Sequence, residues 1–191
     1  MTRIRTVIVV VALSAVGLYV AAGLNASEKS ESTTPGIGAI APDFTAKRLS
    51  GEEIQLAELR KKGPVVLVML RGFPGYHCPI CSKQVGELIQ NGDKLEEKQA
   101  SVVLIYPGPA KNLDKHAKAF LKGKEFPTHF HFVVDSDFVL TNQYGLRWDA
   151  PLETAYPATF VLDSKGTVKF VKLSRSHAGR ASVAEILEAI P

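Results

Sequence analysis

Cysteine is scarce in this chain of 191 residues: Cys78 and Cys81 are the only two. A zinc site wants four ligands, and no second Cys-x-x-Cys exists to supply the other pair. Only a pairing with His129 and His131, on alternate positions of an extended segment, would complete such a set. No basic cluster with interleaved aromatics is present, which excludes a nucleic-acid partner. The formal charge is +4, and removal of Arg3 and Arg5 with residues 1–26 leaves +2. No internal repeat is visible. Nor does any Asp or Glu occur between Pro64 and Cys81, so a carboxylate assisting proton transfer there must come from a distant segment. With 46% apolar residues, the chain can bury one good core, which predicts one domain.

What is present centres on residues 64–85. An uninterrupted apolar run, Val65 to Leu70, is bounded by Pro64 and Gly72 and suits a strand buried on both faces. A loop then leads to Cys78-Pro79-Ile80-Cys81, after which Val85, Leu88, Ile89 and Leu95 mark one face of a helix. With Cys78 as the N-cap, Pro79 takes the first helical position, where its missing N–H costs nothing. The Cys78 sulfur then faces the N–H groups of Ile80 and Cys81 and the positive end of the helix dipole. Such a thiol acquires a depressed pKa and becomes a nucleophile near neutral pH. A purely structural disulfide is less attractive, because closing a four-residue loop stabilises by only about 2 kcal/mol, against about 3 for fifteen residues.

Residues 7–24 form an uncharged apolar stretch after two arginines. As a helix it would span roughly 27 Å, close to a bilayer core. The layout predicts a signal peptide or membrane anchor over residues 1–26, with an exported, extracytoplasmic remainder where disulfides are permitted. Residues 27–38, rich in Ser, Glu, Thr and Gly, read as a flexible tether. Residues 39–191 then form the domain. Ile40 to Leu49 and Ile54 to Leu56 flank a hairpin turn, and residues 57–62 a helical turn. Val102 to Tyr106 is a second buried strand, ended by Pro107-Gly108-Pro109, and strand, helix, strand implies parallel pairing. Helices are expected after Leu113 and over 137–144, with a short strand from His129 to Val134. A hairpin joins Phe160–Leu162 to Val168–Leu173, and Ser182-x-x-Glu185 is a capping box opening the last helix.

Several segments together resemble the thioredoxin-like superfamily, and within it the redoxin group of alkyl hydroperoxide reductase and thiol-specific antioxidant type. They are the Cys-x-x-Cys stretch, Ala41-Pro42-Asp43-Phe44, Tyr144-Gly145-Leu146 and Tyr156-Pro157-Ala158-Thr159-Phe160-Val161-Leu162-Asp163. The resemblance covers about residues 36–190 and implies an α/β fold, a mixed central sheet flanked by helices. It also implies that Pro157 is a cis-proline packed against the cysteines, with Tyr156 presenting its backbone to a substrate.

Two mechanisms stay open. In thiol–disulfide exchange, Cys78 attacks a disulfide and Cys81 resolves the mixed disulfide, or the oxidised pair accepts electrons from a dithiol. In the peroxidase alternative, Pro74 and Cys81 match the Pro-x-x-x-Thr-x-x-Cys of peroxiredoxins, with Cys81 peroxidatic. Cys78 replaces the threonine, however, and Pro157 stands where that family carries an arginine. Arg71 and Arg147 are the candidates to approach the thiolate instead. His77 either lowers the thiol pKa when protonated or is an exposed loop residue. His116 is expected to be solvated, and Trp148 either lines the substrate surface or is an ordinary half-buried aromatic; His177 receives no role. The expected partners are disulfide or dithiol proteins, hydroperoxides in the second mechanism, and a reductant protein. No cofactor is expected, and membrane contact only through residues 7–24.

Overall fold

The computed structural model describes residues 33–73 and 75–191. The expectations for residues 1–32, including the apolar stretch, and for Pro74 lie outside them. Among the described residues, no helix is long and apolar enough to cross a membrane.

One mixed sheet of seven strands runs in the order β2-β1-β5-β4-β3-β6-β7. Its strands are β1 (Thr45–Arg48), β2 (Glu53–Gln55), β3 (Val65–Met69), β4 (Ser101–Gly108), β5 (Phe130–Ser136), β6 (Ala158–Leu162) and β7 (Val168–Leu173). The helices are α1 (Leu56–Arg60), α2 (Pro79–Gln90), α3 (Gly92–Glu97), α4 (Leu113–Leu121), α5 (Val139–Gln143) and α6 (Val183–Ala189). β3 lies parallel to β4 and antiparallel to β6, and every one of its residues is buried.

Both faces of the central strands are covered, which is why their sequences are continuously apolar rather than alternating. Val66, Val68, Val102 and Leu104 pack with Val85 and Leu88 of α2, Leu95 of α3, Phe120 of α4 and Ile186 of α6. Val65, Leu67, Met69, Val103 and Ile105 point the other way, to Leu56 and Leu59 of α1 and Leu140 of α5. Neighbouring residues of one strand therefore serve two separate cores.

The expected hairpins form, with Thr45 opposite Gln55 and Ala158 opposite Leu173. The capping box also forms: Ser182 Oγ accepts from the Glu185 N–H at 3.3 Å and Glu185 Oε2 from the Ser182 N–H at 2.8 Å. Three differences have local causes. The helix expected to reach Leu95 breaks at Asn91, whose side-chain amide donates back to the Glu87 carbonyl at 2.9 Å. β4 continues through Pro107 to Gly108, because beyond Ile105 it has lost β3 as a neighbour and one side is open to a residue without an N–H. Chain bonding to the domain starts before residue 39: Thr34 Oγ1 donates to the Gly145 carbonyl at 3.1 Å and the Gly38 N–H to the Val168 carbonyl at 2.8 Å.

Candidate functional site

The cysteines stand where β3 hands over to α2. Between them the chain turns at Gly72, whose φ is +73° and where a Cβ would come 1.9 Å from the Pro107 carbonyl oxygen. Only glycine admits that approach, so the loop lies tight on the end of β4. Cys78 is the N-cap of α2 with extended backbone, φ −69° and ψ 114°, and Pro79 opens the helix, as its sequence implies. Both cysteines are free thiols, Cys78 3% and Cys81 1% exposed.

Their environments differ. Cys81 Sγ accepts from the Arg71 N–H at 3.4 Å, and Arg180 Nη2 donates to it at 3.7 Å. Cys78 is pulled down to about 5, first by the hydrogen bond from the Cys81 thiol. Burial opposes that shift, while the N–H of Cys81, the charge of Arg180 and the N–H of Ile80 add to it. Cys81 moves the opposite way, well above an ordinary thiol, through its bond to Cys78 and its burial. One sulfur is thus held as thiolate and its neighbour as thiol, the division that a pair sharing one proton adopts.

Neither arginine singled out from the sequence brings its guanidinium to the sulfurs. Arg71, 1% exposed, contributes its backbone; its side chain donates to Glu153 Oε2 at 2.6 Å, to the Leu152 carbonyl at 2.9 Å and to Tyr76 Oη. Burial works against the Arg71 charge, but these bonds raise its pKa overall. Arg147 donates to the Thr154 carbonyl at 2.6 Å and lies 4.1 Å over the Phe138 ring. The arginine that does reach the thiols, Arg180, comes from the loop before α6. It is 99 positions from Cys81 in a segment without a motif, so only its basic charge marked it.

A carboxylate from a distant segment, Glu153, holds the Arg71 side chain. It bonds Arg71 on one oxygen and His177 Nε2 at 2.8 Å on the other, which gives His177 a partner that the sequence had not suggested. Burial would raise the Glu153 carboxyl, yet Arg71 and His177 hold it below its usual range. Trp148 stacks on Tyr156 with ring centroids 4.7 Å apart, and Arg175 lies 5.3 Å over the Tyr156 ring.

His77 packs edge-on against Phe73 at 5.3 Å and Phe120 at 6.1 Å. Burial lowers its pKa, with the charges of His116 and Lys124 adding, and it is not among the groups that pull Cys78 down. His116 is not simply solvated: it stacks on Phe73 at 3.6 Å. Pro157 sits at the entry to β6 beside the end of β3, where Ala158 pairs with Met69. Its peptide bond is trans, since no described residue has a cis bond, and this corrects the expectation of a cis-proline. The proline falls one residue before the ladder, where its missing N–H costs no strand bond. The Tyr156 N–H is already given to the Leu146 carbonyl at 2.8 Å, so that backbone donor is not open to a substrate. His131 pairs with Arg48, and among the described residues no group of three or more His, Cys, Asp or Glu could hold a metal ion.

A thioredoxin-like mixed sheet with a dithiol at the mouth of its central helix defines a thiol redox protein. The chain belongs to the AhpC/TSA family, whose profile matches residues 37–171. It is 30% identical over 166 residues to the thiol-disulfide oxidoreductase ResA of Geobacillus thermodenitrificans, spanning 86% of this chain and 83% of that protein. It is 28% identical to the chloroplastic peroxiredoxin Q of Triticum aestivum, over 70% of this chain and 57% of the relative. Among solved structures, the peroxidoxin BcpB of Mycobacterium tuberculosis superposes with a TM-score of 0.62 at 22% identity, covering 81% of this chain and 96% of that one. The likeness to BcpB concerns the fold alone. Family and relatives make the chain a thiol-based oxidoreductase.

Proposed function

We propose that the protein carries out thiol–disulfide exchange, with Cys78 as attacking thiolate and Cys81 as resolving thiol. The observation that carries this reading is the opposite displacement of two adjacent thiols, one down to about 5 and the other well up. In the first step the Cys78 thiolate attacks a substrate disulfide, forms a mixed disulfide and expels one substrate sulfur as thiolate. Cys81 then loses its proton and attacks Cys78 Sγ. The second substrate thiolate leaves, and the protein holds the two-electron-oxidised Cys78–Cys81 disulfide. A dithiol protein restores the reduced pair by the same steps in reverse. Pro157 and Tyr156 border the site at the entry to β6 and serve here as the wall against which a substrate lies. The apolar stretch of residues 7–24 supports export, which puts this exchange outside the cytoplasm.

Reduction of insulin by dithiothreitol-coupled turnover tests the assignment. Cys78→Ser is expected to abolish it, and Cys81→Ser to stall at a trapped mixed disulfide. Full activity in Cys78→Ser would show that Cys81 attacks alone. The likeness to peroxiredoxin Q and the Arg180 guanidinium at Cys81 support a second reading, hydroperoxide reduction at Cys81. That chemistry needs Cys81 as thiolate, and its raised pKa weighs against it. Stopped-flow mixing with hydrogen peroxide separates the two: slow thiol loss beside fast dithiol exchange supports the oxidoreductase.

A further inference from the structure

β3 and β7 run parallel on either side of β6, with Met69, Ala158 and Leu173 abreast. Two positions past Met69, the Arg71 N–H bonds Cys81 Sγ at 3.4 Å. Two positions past Leu173 stands Arg175, at the same end of the sheet. Neighbouring strands lie about 4.8 Å apart, so Arg175 leaves the sheet roughly 10 Å from Arg71. The Ser174 N–H, which bonds the Pro157 carbonyl at 2.9 Å, ties this departure to the wall of the site.

Arg175 is exposed, but it is not loose. Its guanidinium lies 5.3 Å over the Tyr156 ring, which stacks in turn on Trp148 at 4.7 Å. A cation braced on aromatic rings gives up less side-chain freedom when it meets a ligand. The charges around this end of the sheet single it out. Arg71 is paired with Glu153 at 2.6 Å, Arg147 with Asp149 at 3.4 Å and Lys83 with Glu87 at 3.8 Å. Arg180 faces the dithiol, where the Cys78 thiolate answers its charge. Arg175 makes no ion pair among the described residues. Even with Cys78 as thiolate, its positive charge is therefore left over. When Cys78 enters a mixed disulfide the thiolate charge is lost, and Arg180 joins Arg175 unpaired. A carboxylate on the incoming substrate complements that field.

We propose that Arg175 selects the disulfide substrate by pairing with a carboxylate about three residues along from the cysteine that Cys78 attacks. An extended peptide advances about 3.3 Å per residue, so three residues span the distance. The partner is thus a protein with an acidic residue close to its disulfide. This assignment rests on thiol–disulfide exchange and adds the residue that decides which disulfide is taken.

Disulfide-linked dimers of the peptide Ac-Cys-Ala-Ala-Xaa-NH2, with Asp, Asn or Lys as Xaa, test it in stopped-flow single turnovers of the reduced full chain. At low salt the second-order rate constant should be about fivefold higher for the Asp dimer than for the Asn dimer, and lower again for Lys. The spread should close at about 1 M salt. Arg175→Gln should remove the advantage of Asp over Asn, and Arg175→Glu should invert the order, so that the Lys dimer reacts fastest. A general loss of structure slows all three peptides together and cannot invert their order. Equal rate constants in the unaltered protein, or the same order in Arg175→Glu, overturn the proposal. A protein that reduces the three dimers without discrimination refutes only the role of Arg175. One that reduces none of them, while reacting fast with hydrogen peroxide, refutes the exchange on which that role rests.

Discussion

Two acids of this protein face helix N-termini, and they are treated in opposite ways. Asp135, at the end of β5, lies 2% exposed and accepts the N–H groups of Leu140 and Thr141 at 2.8 Å each and the Thr141 hydroxyl at 2.6 Å. Burial nevertheless pushes its carboxyl up, outweighing those bonds. Cys78, at the mouth of α2, is drawn down first by its neighbour Cys81, with the N–H groups of Cys81 and Ile80 adding. An acid whose acceptors are filled holds a helix in place. An acid kept as thiolate beside a second thiol and Arg180 is a nucleophile.

The largest effect expected from this contrast concerns the reactive member. Cys78→Ser should lower exchange by about a thousandfold or more, as measured by insulin reduction. Asp135→Ala should act on stability instead. It leaves two N–H groups without their acceptor, costs about 2–3 kcal/mol and lowers Tm by roughly 5–10 °C, while exchange at room temperature persists. A rate loss in Asp135→Ala without a fall in Tm would erase the distinction between the two sites.

Smaller effects sharpen the thiol side. Alkylation of Cys78 should be flat between pH 7 and 6 and fall to half near pH 5, because its thiolate persists down to that pH. At pH 6 the thiolate advantage over an ordinary thiol is about a thousandfold, but lower basicity removes most of it, leaving roughly tenfold. The linkage sign follows: a depressed acid adds stability above its unfolded pKa, and this contribution fades as pH falls through about 5. The ordering of causes is also measurable by thiolate absorbance. Cys81→Ala should raise the Cys78 midpoint most, and Arg180→Gln should raise it less. A larger shift in Arg180→Gln would make charge, rather than the shared proton, the main cause.

Much of this was legible in the chain. Val65 to Leu70 announced a strand covered on both faces because no polar residue interrupts it. Cys78-Pro79 announced a helix start because proline tolerates that position alone. Arg180, Glu153 and His177 were not legible, since each lies in a loop whose local pattern names no partner. His116 misled for a related reason: helical spacing assigns it to a polar face, but it cannot show Phe73 arriving from the thiol loop to stack on it. Pro157 was placed correctly at the entry to β6, while the isomer of its peptide bond followed from the resemblance and proved to be trans.

By itself, then, the order of residues determined the strands, the helix starts and the adjacency of two sulfurs, because those depend on neighbours within a few positions. Cys78 as the thiolate was already implied by its place at the helix start. Tertiary structure added what no local pattern shows: the burial that joins the bond to Cys78 in pushing Cys81 well up, and the guanidinium of Arg180, brought to Cys81 from 99 residues away by the packing of the loop before α6 against α2.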